Sequence, residues 1–285
     1  MARAPKTPTT TSTAIVPWDE RLAQEAEIAA GMEANSGGGQ FFSFRGGMMS
    51  FNDAPVPGNQ LAVVILDSVL ENVFYEGAYD PDTPMPPTCF AFGRDEATIA
   101  PHQTVFDHEQ AQHDQCKGCP MNEWGTADKG RGKACRNTRR LGVIQAGEID
   151  ERGQFKPFTD PEHFEKAGVG YMKLPVTSVK GYATFVKQVA GALRRPPYGI
   201  FTKIRLIPDA KTQIKVLFEP ISKVPDALMS AIVARHEEVM SVIEFPYSLD
   251  VEERQEPAKK PAARGAKPVP ATSRPPVKKP AGKKY

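Results

Sequence analysis

The sequence predicts an α+β protein in which β-strands are the main element. Residues 42–51 and 61–76 are rich in aromatic and β-branched side chains, as strands are. Residues 178–193 carry apolar side chains at helical spacing. Residues 198–218 form two alternating runs around a turn at 208–211, the pattern of a β-hairpin. The 285-residue chain is 40% hydrophobic, which is enough to bury a sizeable core.

The order of the predicted elements is compatible with a small barrel. Further strands are expected at residues 89–93, 141–145 and 169–176, and a second helix at 226–244. The OB-fold, a Greek-key barrel that commonly holds oligonucleotides, has this order: three strands, a helix, and then two closing strands. Other α+β folds share this order, so the OB-fold-like barrel is one of several candidates at this point.

The chain is expected to divide into four parts. Residues 1–39 are a flexible arm with a short helix, and residues 40–222 are the OB-fold-like core with a loop insertion at about 94–140. Residues 223–250 form a C-terminal helix. Residues 251–285 are rich in Pro, Lys and Ala and are expected to be disordered, because they cannot bury enough apolar surface.

Charge is distributed unevenly along the chain. Residues 258–285 contain nine Lys or Arg and no acid, which leaves 27 basic and 34 acidic residues in positions 1–257. A basic tail favours nonspecific contact with phosphates. The sequence has no long apolar run and no export signal at its start, so we expect a cytoplasmic protein with no membrane partner.

The cysteines predict a metal site. A two-residue gap, as in Cys116-x2-Cys119, lets both sulfurs face one ion, and a polar loop without its own core is commonly stabilised by such a crosslink. We expect a closed, structural Zn²⁺ site whose ligands are all the cysteines of the chain: Cys89, Cys116, Cys119 and Cys135. Three nearby histidines could replace a cysteine: His102, His108 and His113. Idle buried thiols and redox chemistry are the alternatives.

A basic segment accompanies the cysteines. Positions 117–140 contain seven Lys or Arg and two acids, and single-strand binders combine basic grooves with aromatic platforms worth about 1–3 kcal/mol per stacked base. The closing hairpin adds a second surface by strand alternation. The predicted nucleic-acid contacts come from these regions and from the first strand: Phe44, Arg45, Trp124, Lys129, Arg131, Lys133, Arg136, Arg139, Arg140, Phe201, Lys203 and Arg205.

These features also have purely structural interpretations. Lysines on the outer face of a strand are commonly just solvated, and most aromatic residues in strands belong to the core. Four carboxylates could form a magnesium nuclease site, although their spacing resembles that of ordinary surface acids: Asp67, Glu71, Asp80 and Asp82. No catalytic motif is present in a suitable context, and we expect no enzymatic activity.

The cysteine-rich segment resembles a motif found in proteins of tailed bacteriophages. The resemblance rests on C-F-A-F-G from Cys89 and on C-K-G-C-P-M-N-E-W-G-T-A-D-K-G-R-G-K-A-C-R-N-T-R-R-L from Cys116 to Leu141, and it covers about residues 40–220. Those proteins are similar in outline to phage single-stranded-DNA-binding proteins, in which an OB-fold carries a zinc-bearing subdomain. The resemblance implies that the four cysteines are Zn²⁺ ligands and that the protein acts in the host cytoplasm.

The expected function is sequence-nonspecific binding of single-stranded DNA in phage replication or recombination, with other replication or recombination proteins as further partners. The chain departs from many such binders because its last segment is basic, whereas theirs is acidic. Two alternatives remain: a zinc-stabilised interaction module of replication or virion assembly, and a metal-dependent nuclease.

Overall fold

Most strands of this protein belong to one mixed β-sheet, seen in a computed structural model that describes residues 40–77, 85–128, 130–247 and 249, together with Leu22. Within these residues the sheet has ten strands: β1 (Phe41–Arg45), β2 (Met48–Phe51), β3 (Ala54–Pro55), β4 (Gln60–Phe74), β5 (Cys89–Gly93), β6 (Arg136–Ile149), β7 (Phe155–Pro157), β8 (Gly170–Lys173), β9 (Ile200–Asp209) and β10 (Gln213–Lys223). Four α-helices are described: α1 (Gln103–Asp107), α2 (Pro161–Lys166), α3 (Val176–Gln188) and α4 (Asp226–Val242). The described residues form mostly β-strands with a few helices, which agrees with the predicted α+β class.

The long strand β4 organises the sheet. One of its edges pairs with β6, and the other pairs first with β9 and then with β5, always antiparallel. Because β6 also pairs with β8 and β9 with β10, five strands follow in the order β10-β9-β4-β6-β8. The register of β4 against β6 shifts after Ala62 and after Ile65. Such bulges bend a strand. A bent strand agrees with the length of the run predicted at residues 61–76.

Two apolar cores cover the two faces of the sheet. On one face, Tyr182 and Phe185 of α3 pack on Phe218 of β10, and the buried Ser178 hydroxyl accepts a hydrogen bond from Val216 N–H at 2.9 Å. On the other face, buried side chains of α2 and α4 pack with Phe201 and residues of β4 and β5. The two predicted helices therefore each cover one face.

Several elements differ from the sequence prediction. The strand expected at 141–145 begins five residues earlier, at Arg136, and the short elements α1, α2 and β7 were not predicted. Most of the predicted N-terminal arm and all of residues 251–285 lie outside the described residues. In the part of the chain that is described, the helices are all too short or too polar to cross a membrane.

Candidate metal centre and nucleic-acid interface

All four cysteines line one small cavity. Cys89 is the first residue of β5, Cys135 directly precedes β6, and Cys116 and Cys119 lie in the loop between these strands. Since β5 and β6 pair with opposite edges of β4, the two strand ends that carry cysteines lie on either side of the end of β4. The cavity has a volume of about 20 Å³, which is room for one water-sized particle.

Local hydrogen bonds hold the cysteine loop in shape. The Cys135 N–H donates to the Met121 carbonyl at 2.7 Å, and the Asn122 side chain donates to the Cys116 carbonyl at 2.8 Å. Gly118, inside the Cys116–Cys119 knuckle, has a φ of 81°, a conformation that only glycine adopts without strain. The sequence of the knuckle therefore suits its tight turn.

The thiols around the cavity influence one another. Burial, and after it the charges of the three neighbouring cysteines, raises the pKa of the Cys135 thiol to about 12. Burial likewise raises the pKa of Cys89 and of Cys116, and neighbouring cysteines add to both shifts. A divalent cation reverses this preference, because the thiolate is the form that binds metals.

The donor set fits zinc by its chemistry. Four cysteines that line one small cavity are the type of donor set that closed, structural Zn²⁺ sites use. Among the described residues, no group of three or more His, Cys, Asp or Glu side chains already has an arrangement that could hold a metal ion.

One of the three histidines in this described segment shares the cysteine cavity. His113 lines it. His102 instead caps α1 by accepting a hydrogen bond from Thr104 N–H at 3.2 Å, and its ring stacks on Phe90. The Nδ1 atom of His108 lies 2.8 Å from the Thr104 carbonyl. His113 is therefore the histidine placed to substitute for a cysteine.

Trp124 lies on the surface of the basic loop. Its side chain is 78% exposed, more than any other aromatic residue that the structure describes. The ammonium group of Lys133 lies 5.6 Å from the centroid of the Trp124 ring and donates to Asn122 Oδ1 at 3.2 Å. Three further basic side chains of the segment are exposed: Lys117, Arg131 and Arg136. Lys129 lies outside the described residues.

Two predicted contacts must be corrected because they lie in the interior. Arg140 is 2% exposed. Its guanidinium donates to Glu71 at 3.2 Å and to the carbonyls of Ile243 and Phe245 at 3.1 and 2.9 Å. Phe201 is 1% exposed and packs in the core under α2 and α4. A nucleic acid on the surface cannot reach either side chain.

The other predicted contacts are placed separately. Lys203 and Arg205 share an outer face of β9, as alternation predicts, but both lie beside Glu219, at 4.0 and 2.6 Å. Their charge is therefore partly neutralised. Phe44 packs against the core, and Arg45 is exposed. Arg139 is half-buried and lines a second cleft.

A buried charge cluster across β4, β6 and β8 has no signal in the local sequence pattern. The fully buried carboxylate of Glu71 accepts from Arg140 and from Lys173 Nζ, each at 3.2 Å, and from the Tyr247 hydroxyl. Burial alone would raise the pKa of Glu71, but the charges of Lys173 and Arg140 hold it below its usual value. Glu71 and Arg140 are 69 positions apart, so only the strand register reveals the pair.

The carboxylates considered for a nuclease site have other partners. Asp67 accepts two hydrogen bonds from Arg94, at 2.9 and 2.5 Å, and Glu71 belongs to the buried cluster. Asp80 and Asp82 lie outside the described residues. In comparisons with known proteins, no family model, no curated protein and no solved structure matches this chain.

Proposed function

We propose that this protein binds single-stranded DNA without sequence preference and without catalysis, using the basic loop around Trp124. The observation that carries the proposal is the ring of Trp124, 78% exposed, with the Lys133 ammonium 5.6 Å from its centroid. An unpaired base can stack on such a ring while neighbouring cations neutralise its phosphates. Arg131 and Lys117, both exposed in the same segment, add to the positive charge.

The strand order supports an OB-fold-like scaffold. The series β10-β9-β4-β6-β8, with α3 between β8 and β9 in the chain, follows the strand order of an OB-fold whose first strand is β4, although among the described residues β8 continues to β1 and does not pair with β10 to close a barrel. OB-folds commonly contact oligonucleotides through the loop that joins their first two strands. Here that loop joins β4 to β6 and contains the cysteines and Trp124.

We further propose one structural Zn²⁺ bound by Cys89, Cys116, Cys119 and Cys135. The bound ion would crosslink the loop, so that metal-binding free energy becomes folding free energy. Four thiolate ligands leave no open position, which favours a structural over a catalytic metal. A role in phage replication or recombination, in the host cytoplasm, is supported by the resemblance of the cysteine segment.

A salt titration of binding tests the proposal. Labelled oligo-dT is titrated with the full chain at several salt concentrations and followed by fluorescence anisotropy. We expect affinity to fall as salt rises, with a slope of about −0.7 in log–log form for each phosphate contacted. A duplex of equal length should bind more weakly, and equal affinity for both would contradict the proposal.

Two sets of variants separate stacking from charge. Trp124→Ala should weaken oligo-dT binding roughly 5- to 100-fold, the value of one stacking platform, and leave the salt slope unchanged. Substituting both Arg131 and Lys133 by Ala should flatten the slope. Met240→Ala removes an exposed apolar side chain on α4 and serves as the control. Wild-type affinity in Trp124→Ala would exclude that ring as a platform.

A further inference from the structure

A larger cleft lies where two strands separate along β4. β9 pairs with β4 as far as Val64, and β5 pairs with it from Leu70 onward. Among the described residues, no strand pairs with the intervening stretch on that edge. The cleft beside this stretch is also lined by α3, by the segment before β9 and by α4, and has a volume of about 450 Å³. Small-molecule sites commonly have this size.

Arg139 is the residue of this cleft that points to a ligand. Its Nε is buried without a hydrogen-bond partner, and its guanidinium lies 5.8 Å from the ring centroid of Tyr182. The other half-buried or buried arginines that the structure describes each have a carboxylate within 3.5 Å: Arg140 with Glu71, Arg195 with Asp226, Arg205 with Glu219, and Arg235 with Glu238. Among the described residues no carboxylate lies that close to Arg139, so its charge lacks a counter-ion, and an external anion in the cleft would supply one.

The charges of the cleft favour an anionic ligand. Arg94, Arg139 and Lys187 line it against a single carboxylate, Asp67. That carboxylate already accepts hydrogen bonds from Arg94 on both of its oxygens. The positive charge of Arg139 and Lys187 therefore remains available to a ligand, and an arginine fork matches the geometry of a phosphate.

Another part of the cleft suits a flat ring. Tyr198 stacks on His236 with ring centroids 4.4 Å apart and planes inclined by 24°, and Pro196 and Pro197 lie beside them. The His236 ring is fixed because its Nδ1 donates to the Leu66 carbonyl at 2.7 Å. A cationic group and a rigid, largely apolar wall in one cleft are complementary to a phosphate joined to a planar base.

We propose that this cleft binds one nucleotide unit, with its phosphate on Arg139 and its base against the wall formed by Tyr198, His236 and the two prolines. The identification of the ligand as a nucleotide rests on the proposed single-strand function, whereas its negative charge is inferred from Arg139 itself. The unit can be part of a bound strand or a free mononucleotide, because both offer the same phosphate and base.

Calorimetric titration of the full chain with dTMP, thymidine and inorganic phosphate tests the cleft directly. We expect dTMP to bind at one site per chain and thymidine, which lacks the phosphate, to bind at least about tenfold more weakly. Arg139→Gln should weaken dTMP binding by about tenfold or more, and Arg139→Lys by less. Arg152→Gln removes the same charge from an exposed turn outside the cleft and should bind as the wild type does.

Oligo-dT anisotropy with the same variants identifies the source of the nucleotide. Weaker oligo-dT binding by Arg139→Gln supports a unit of the strand. An Arg139-dependent dTMP site in a chain that ignores oligo-dT supports a free mononucleotide and overturns the single-strand function instead. The cleft inference is overturned if wild-type protein binds neither dTMP nor phosphate at millimolar concentration, or if Arg139→Gln binds dTMP and oligo-dT as wild type does.

Discussion

At the residue scale, Arg140 is a basic side chain whose role is internal. Its guanidinium lies 4.2 and 4.1 Å from the ring centroids of Phe92 and Phe245 and is paired with Glu71. Buried charges are tolerated only when a partner and hydrogen bonds satisfy them. Because Arg140 also donates to the carbonyls of Ile243 and Phe245, it fixes the segment after α4 to the sheet.

Removal of the Glu71 charge should destabilise the protein strongly. Glu71→Gln leaves Arg140 and Lys173 without their buried counter-charge, and breaking a buried pair in this way commonly costs about 3–5 kcal/mol. Urea unfolding at neutral pH measures the change in the free energy of unfolding. Glu162→Gln is the matched control, since its exposed pair with Lys166 is worth only about 0.3–0.5 kcal/mol.

The pH dependence of the free energy of unfolding should also show the contribution of the Glu71 charge. The pKa of Glu71 is lowered from its ordinary value of 4.5, so its contribution is complete above that value and is lost as the pH falls through the folded-state pKa. Wild-type protein should therefore lose stability more steeply than Glu71→Gln below about pH 4.5. Identical acid limbs in the two proteins would contradict the assignment.

The residues of the site differ in how far the sequence could predict them. The four cysteines of the sequence predict one common metal site. They do line a single cavity, while the zinc ion itself stays a prediction. The interior position of Arg140 depends on which face of β6 meets Glu71. That register is set by pairing between strands far apart in the chain, which a local pattern does not contain.

At the scale of secondary-structure elements, length decided what could be predicted. Helices α3 and α4 and the hairpin β9–β10 lie close to the ranges that periodicity indicates. Helices α1 and α2 have five and six residues, fewer than two turns, so no periodic pattern develops. They depend on their N-caps, His102 and Asp160, and on packing against the sheet.

The loop between β5 and β6 is predicted to depend on a metal. Purified protein should contain one zinc per chain, and chelation or Cys119→Ser should increase amide hydrogen exchange in residues 94–135 while β9 and β10 stay protected. The reason is that the cysteines of the loop surround a cavity, and the apolar cluster of the loop is small, formed by Ala91, Ile99 and Cys116. Mass-spectrometric hydrogen exchange measures both regions at once.

His108→Gln provides the control for this experiment. His108 is a metal-binding residue type in the same segment, but it does not line the cysteine cavity, so zinc content and exchange should match those of the wild type. Wild-type protein without stoichiometric zinc, or with exchange unaffected by chelation, would remove the metal from the proposal.

At the scale of the whole molecule, positive charge is concentrated at two places in an otherwise acidic chain. One is the basic segment at 117–140, and the other is the segment at 258–285 with its nine Lys or Arg. Both have the charge to contact phosphates, but only the first, apart from Lys129, lies within the described residues. Binding of nucleic acid by the whole chain therefore has two separable contributions.

Removal of residues 258–285 should keep oligo-dT binding and flatten its salt dependence. Fewer cations release fewer counterions, whereas the Trp124 loop is unchanged. Anisotropy titrations at several salt concentrations compare the truncated chain with a full-length control in which the nine basic residues are replaced by Gln. Complete loss of binding in both would place the nucleic-acid contact in residues 258–285 and favour the interaction module as the function of the folded part.

Strand β4 contributes to the cysteine cavity, to the buried charge cluster and to the cleft of Arg139. Asn72 lines the cysteine cavity, Glu71 beside it points into the charge cluster on the opposite face, and Ile65–Ser68 border the cleft of Arg139. Successive side chains of a strand alternate between faces, so deleting Val69 would turn Glu71 and Asn72 to the opposite faces while Ile65–Ser68 keep theirs. The number of residues between Ser68 and Glu71 is thus the property that proteins of the same fold and sites should retain, even where individual side chains differ.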